Sequence, residues 1–207
     1  MASAFALILL AGCASTTTPA DDGATSAIPP ADNGAAPSTL AKVDGWRQGL
    51  DRAAIPGEAG FAVLELAYDE AGARALWSAA VPEGLSATSG TPTSFGIYGV
   101  VEDVNLADHV VGLWSSGQSG SCPGWLGSVD SDRETVTLVQ VEDPQGSDLC
   151  TDDYNAYSQI VVLNRDQVPP SETLPVDAQL TFAMVTDATP LPGHGPTLRA
   201  VITPFTD

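Results

Sequence analysis

The chain has 207 residues, 26 acidic against seven basic side chains, and a formal net charge of -19. Nucleic acid and anionic lipid faces are held by basic patches, so this acidity excludes both as natural partners. Lys42 is the only lysine, and neither G-x-x-x-x-G-K nor G-x-G-x-x-G occurs, which argues against phosphate chemistry.

In chain order, Phe5 to Leu10 (FALILL) form a short apolar run, followed at once by Ala11-Gly12-Cys13. Such a run is too short to span a bilayer and reads as an export signal. The stretch Leu10-Ala11-Gly12-Cys13 resembles the lipobox of bacterial lipoproteins. The resemblance implies that residues 1–12 are removed and that Cys13 carries a diacylglycerol. Two acyl chains give firm anchoring where one is marginal. The expected location is the extracytoplasmic face of a cell membrane, with the bilayer as a partner through the acyl chains. No Lys or Arg precedes the apolar run, although export signals carry positive charge there. The expectation is therefore a translation start upstream of Met1, which N-terminal mapping of the precursor checks.

Residues 13–42 read as a tether, rich in Ala, Thr, Ser, Pro and Gly, with no aromatic side chain. Such a segment cannot bury enough apolar surface to offset its ordering entropy. As a coil it would reach roughly 30 Å r.m.s.. Residues 43–207 read as a single domain, β-rich from residue 94 on. It is large enough to bury roughly 70% of its unfolded surface.

Asp44 can cap a helix with Trp46, Leu50 and Ala53 on one face, ending before Pro56. Phe61 to Ala67 reads as a strand. Asp69 caps a second helix, whose Ala73, Leu76, Trp77 and Ala80 fall at i, i+3, i+4 and i+7, and Pro82 stops it. A strand over Ser94 to Val101 and strands over His109 to Trp114, Tyr157 to Leu163, Ala178 to Val185 and Leu198 to Ile202 follow. Leu126 to Val129 and Thr135 to Val141 make the clearest hairpin, turning through Asp130-Ser131-Asp132-Arg133. The expected fold class is α+β: one or two N-terminal helices packed on a mainly antiparallel sheet.

With Cys13 lipidated, Cys122 and Cys150 remain as an even pair. Export places them in an oxidising compartment, so a disulfide is expected, worth roughly 3–4 kcal/mol by chain entropy. Cys122-Pro123-Gly124-Trp125 and Cys150-Thr151-Asp152-Asp153-Tyr154 frame this segment. The two blocks resemble those of uncharacterised exported lipoproteins of high-GC Gram-positive bacteria. Residues 109–170 also resemble the small β-domain of bacterial protease-complex inhibitors, in strand order alone. That likeness implies no active site and suggests a protruding loop over Gly117 to Gly124.

No catalytic set stands out. Gly117-Gln118-Ser119-Gly120-Ser121 departs from the G-x-S-x-G elbow at its last position. His109 opens an apolar strand, and His194 lies in a Gly/Pro loop. Zinc spacing is absent. Calcium ligands could come from Asp130 and Asp132, or from Glu142, Asp143, Asp148, Asp152 and Asp153, but neither set matches an EF-hand loop. The expected cofactor is none, with calcium as the weak alternative. Trp114, Trp125 and Tyr154 would be drawn together by the disulfide, as a core plug or a recognition patch. A patch with an acidic rim would suit a basic peptide or an envelope protein. The leading expectation is a non-enzymatic binding domain. The alternatives are an extracellular enzyme using dispersed carboxylates and a modulator of a secreted protease.

Overall fold

The structure, a computed structural model, describes residues 36–50, 62–131, 135–145, 150–186, 189–191 and 197–206. Cys13, Ala53, Pro56, Asp132, Arg133, Asp148 and His194 lie outside them.

Among the described residues, ten strands form one curled sheet, and one α-helix packs on its outer face. In chain order they are β1 (Ser38–Asp44), β2 (Val63–Ala67), α1 (Glu70–Ala80), β3 (Gly96–Ile97), β4 (His109–Gln118) and β5 (Gly124–Ser131). Then come β6 (Val136–Glu142), β7 (Asn155–Asn164), β8 (Val176–Thr186), β9 (Thr189–Leu191) and β10 (Leu198–Pro204). The sheet order is β3-β1-β7-β4-β2-β10-β8-β6-β5, with β9 added on β8. Among the described strands only the pairs β2 with β10 and β6 with β8 run parallel.

The α+β class expected from the sequence is corrected to a mostly β fold. The helix predicted from Asp44 does not form over its described part. Asp44 instead ends β1, and Gly45 and Gly49 take left-handed φ of 76° and 82°. Glycine adopts these values freely, and each interrupts any helix through the segment. Trp46 Nε1 donates to Ser116 O, and Arg47 pairs with the buried Glu65 carboxylate, which seats this turn on the sheet. Strand pairing begins at Ser38, inside the segment read as tether. The predicted strand over Ser94 to Val101 is reduced to the two residues of β3, and Val101–Asp103 makes a 3-10 turn. The second predicted helix forms as expected: the Asp69 side chain accepts from Gly72 N, and Ala73, Leu76 and Ala80 are buried.

β4 and β7 have two buried faces. Val110, Trp114, Tyr157, Val161 and Leu163 point into one core with Leu126, Leu138, Leu180 and Ile202. Val111, Leu113, Ile160 and Val162 point the other way, onto Leu76 of α1. A strand covered on both sides reads as a continuous apolar run, which explains HVVGLW and QIVVL. The first core lies inside the curl of the sheet, where β2, β4 and β7 face β5, β6, β8 and β10.

The curl meets itself at a seam bridged by side chains. Gln159 Oε1 of β7 accepts from Leu126 N of the edge strand β5 at 2.8 Å, and Lys42 Nζ of β1 donates to Gly124 O at 2.6 Å. These groups occupy backbone positions that an added strand would otherwise take, so they blunt the β5 edge.

Candidate functional site

Cys122 and Cys150 form a disulfide, with Cα atoms 5.4 Å apart and a sequence separation of 28. The bond brings the CPGW and CTDDY blocks together. Around it Asp153 acts as a clasp. Its carboxylate accepts from Gly120 N, at 3.1 Å to each oxygen, from Thr151 Oγ1, and from Asn155 Nδ2 at 2.8 Å. These donors hold the Asp153 carboxyl below the usual carboxylate range, with the Thr151 hydroxyl the largest contribution and Gly120 N–H next. Gly120 is required at close quarters, since a Cβ there would lie 2.6 Å from Asp153 Oδ2. Within the segment from Gly117 to Gly124 only Gly120 is exposed, and Ser119, Cys122 and Gly124 are buried. This is a pinned turn rather than a protruding loop. Breaking the bond by Cys122→Ser is expected to lower stability by roughly 3–4 kcal/mol. Urea unfolding of variant and parent measures it; coincident midpoints would show that the Asp153 clasp alone closes the loop.

The three aromatic side chains occupy separate places. Trp114 is fully buried inside the curl, where its Nε1 donates to Tyr157 OH at 3.1 Å. Trp125 lines a groove of about 580 Å³ along the seam, with Ser38, Leu40, Pro92 and Tyr98. Tyr154 is 50% exposed. Its ring lies flat on Gly117, where a Cβ would fall 1.8 Å from Cε2.

Tyr154 forms one wall of a cleft of about 370 Å³. Leu180, Phe182 and Leu198 supply apolar lining, and Gln118, Glu142 and Asp153 supply polar groups. Glu142 ends β6 and is half-buried. Burial pushes its carboxyl above the usual range, while a 3.4 Å contact from Gln140 Nε2 works the other way. Gln140 is itself held, accepting from Ser116 Oγ at 2.8 Å and donating to Gly117 O at 2.8 Å. The cleft therefore combines an apolar lining, an aromatic ring and a carboxyl on a rigid mount, the usual makeup of a small binding site.

No family model, no curated protein and no solved structure matches this chain. The chemistry must be read from the side chains.

Two carboxylates with opposite shifts in one cleft are the usual mark of an acid and base pair. Here the hydrogen bonding decides otherwise. Both Asp153 oxygens are occupied by internal donors, so this carboxylate holds the turn. Ser119 also fails as a nucleophile with His109: the two sit at opposite ends of β4, roughly 30 Å apart at strand rise. His109 Nδ1 contacts Asn105 O at 3.0 Å. Among the described residues no group of three or more His, Cys, Asp and Glu side chains is placed to hold a metal ion. Asp130 and Asp152 are exposed.

Lys42 carries a feature that sequence reading passed over. It is fully buried, and its ammonium donates to Gln118 Oε1 at 2.7 Å, to Gly124 O at 2.6 Å and more weakly to Thr93 O at 3.5 Å. The Tyr157 ring lies 4.5 Å from it and the Phe95 ring 5.8 Å. Burial pushes the amine down to about 7. The available signal was a lone lysine between Ala41 and Val43, a charge at an inward position of a strand.

Proposed function

We propose that the chain is a membrane-anchored extracytoplasmic lipoprotein whose β-domain is a non-enzymatic binding module, with the Tyr154 cleft as its recognition site. The anchor reading rests on Leu10-Ala11-Gly12-Cys13. The Cys122–Cys150 bond is of the kind that persists in an oxidising compartment. Among the described residues no helix is long and apolar enough to cross a membrane.

One observation carries the binding reading: a half-exposed aromatic ring seated on a glycine, beside a half-buried carboxyl and an apolar lining. Placement supports it. β1 begins at Ser38 opposite Val162, near the far end of β7, whereas Tyr154 directly precedes the start of β7 at Asn155. The chain thus enters the domain roughly 25 Å along the strand from the cleft. A domain tethered through its N-terminal segment would hold the cleft away from its anchor.

The test is site-specific photo-crosslinking in the intact envelope. A photoreactive side chain at Leu198, on the cleft, is expected to capture a partner, and Tyr154→Ala or Gly117→Ala is expected to abolish that capture. The same group at Arg74, on α1, is expected to capture nothing comparable. Equal capture from both positions, or none from Leu198, rejects the cleft. The anchor is tested separately: Cys13→Ser is expected to release folded protein into the soluble fraction, and its retention with membranes rejects a lipid on that residue.

A further inference from the structure

We infer that the Tyr154 cleft takes the side chain of a lysine or arginine presented by a peptide segment, with the charged head directed at Glu142. The inference rests on the binding reading above and specifies its ligand.

The cleft is built from acceptors and apolar surface. Leu180, Phe182 and Leu198 offer an apolar lining suited to an alkyl stem, the part of a basic side chain that gains from leaving water. The Tyr154 ring offers a π-face, which attracts a cation within about 6 Å of its centre. Glu142 offers a carboxyl whose surroundings have removed part of its water. Within the described residues its contacts are the distant Gln140 amide at 3.4 Å and the disulfide sulfur of Cys150 at 3.9 Å. The rim adds Asp153, which is held ionised by its donors. An anionic ligand would meet both carboxyl groups and is disfavoured.

The protein's own described cations are engaged elsewhere. Arg47 pairs with Glu65, Arg74 with Glu70 and Arg199 with Asp177. Arg165 donates to Leu106 O and Tyr68 O, and Lys42 is held at the seam. With 26 acidic and seven basic residues in the whole chain, a cationic partner meets favourable long-range attraction as well as the local fit. A volume of about 370 Å³ lies at the small end of ligand sites, suited to one long side chain rather than a folded element.

The experiment is calorimetric titration of the full chain with acetylated, amidated glycine pentapeptides carrying one central residue. The lysine peptide is expected to bind, and the norleucine peptide, with the same stem and no charge, to bind about tenfold more weakly. Glu142→Gln is expected to erase that difference, and a urea unfolding midpoint matching the parent's shows that the variant is folded. Free butylamine is expected to bind more weakly than the lysine peptide. Equal binding of lysine and norleucine peptides overturns the inference and leaves the cleft as an apolar site. Full retention of the lysine preference in Glu142→Gln overturns it too. Tighter binding by butylamine moves the ligand from peptide to free amine and overturns the assignment. Failure of every peptide, with no crosslink from Leu198, rejects the binding reading itself.

Discussion

Stability of the domain is expected to rise with pH between about 7 and about 10, by up to roughly 5 kcal/mol, and Lys42→Met is expected to flatten that rise. The cause is the buried ammonium. Its native value is about 7 against an ordinary 10.5. Below pH 7 both native and unfolded chains hold the proton, and the cost of burying the charge is fully present. Between the two values the unfolded chain binds more protons than the native one, so stability increases with pH. The gap between about 7 and 10.5 corresponds to roughly 5 kcal/mol. Tyrosines set the upper limit. Burial raises Tyr68 to about 12 and Tyr157 further, so the unfolded chain loses those protons first and stability falls again as pH climbs past 10. Urea unfolding at pH values across this range measures the profile. A flat profile in the parent, or an unchanged slope in Lys42→Met, would refute the role given to this amine. The methionine variant leaves Gly124 O without its Lys42 donor, so it is also expected to lose part of the seam closure at every pH.

Trp114→Ala is expected to destabilise the domain by about 4 kcal/mol, the range for removing a large buried aromatic side chain. The indole is fully enclosed between β4 and the opposite side of the curl, and its N–H donates to the Tyr157 hydroxyl. Trp114→Phe keeps most of the volume and removes that donor, with an expected cost of about 1–2 kcal/mol. Tyr154→Ala provides the contrast, with an expected change under about 1 kcal/mol, because half of that ring already faces solvent. Thermal unfolding of the three variants separates the roles. A Trp114→Ala effect as small as that of Tyr154→Ala would place the indole outside the core.

Much of the local structure was legible. The Asp69 cap, the i, i+3, i+4, i+7 spacing of Ala73, Leu76, Trp77 and Ala80, and the stop at Pro82 locate α1 because each signal is local to a few residues. β4, β7, β8, β10 and the β5–β6 hairpin follow from apolar runs in the same way. The helix predicted from Asp44 failed because Trp46 and Leu50 have helical spacing while Gly45 and Gly49 take left-handed turns. β1 was missed because Ser38 to Ala41 are mixed in polarity, with Leu40 the one large apolar side chain. They become a strand only because β7 offers a long free edge to pair with.

The candidate site was legible in parts. Tyr154 and Cys150 could be named from one motif, and the disulfide from counting cysteines. Trp114, Trp125 and Tyr154 are close in sequence to the bonded cysteines, yet their places on β4, on β5 and just before β7 send them to the core, the seam and the cleft respectively. Glu142 read as one of several acidic residues. Its distinction is its position at the end of β6, where burial removes part of its water. Lys42 matters only because the seam closes over it.

What the sequence by itself determined is composition, local pattern and pairing arithmetic: the acidity, the lipobox-like run, the cysteine pair, the α1 helix and the main strands. These depend on neighbours within a few residues or on counts over the chain. The tertiary structure alone decided that the sheet curls on itself, that Lys42 and Gln159 bridge its seam, and that Tyr154 and Glu142 share one cleft. Those relations join residues far apart in the chain, set by strand order and sheet twist, and no local preference encodes them.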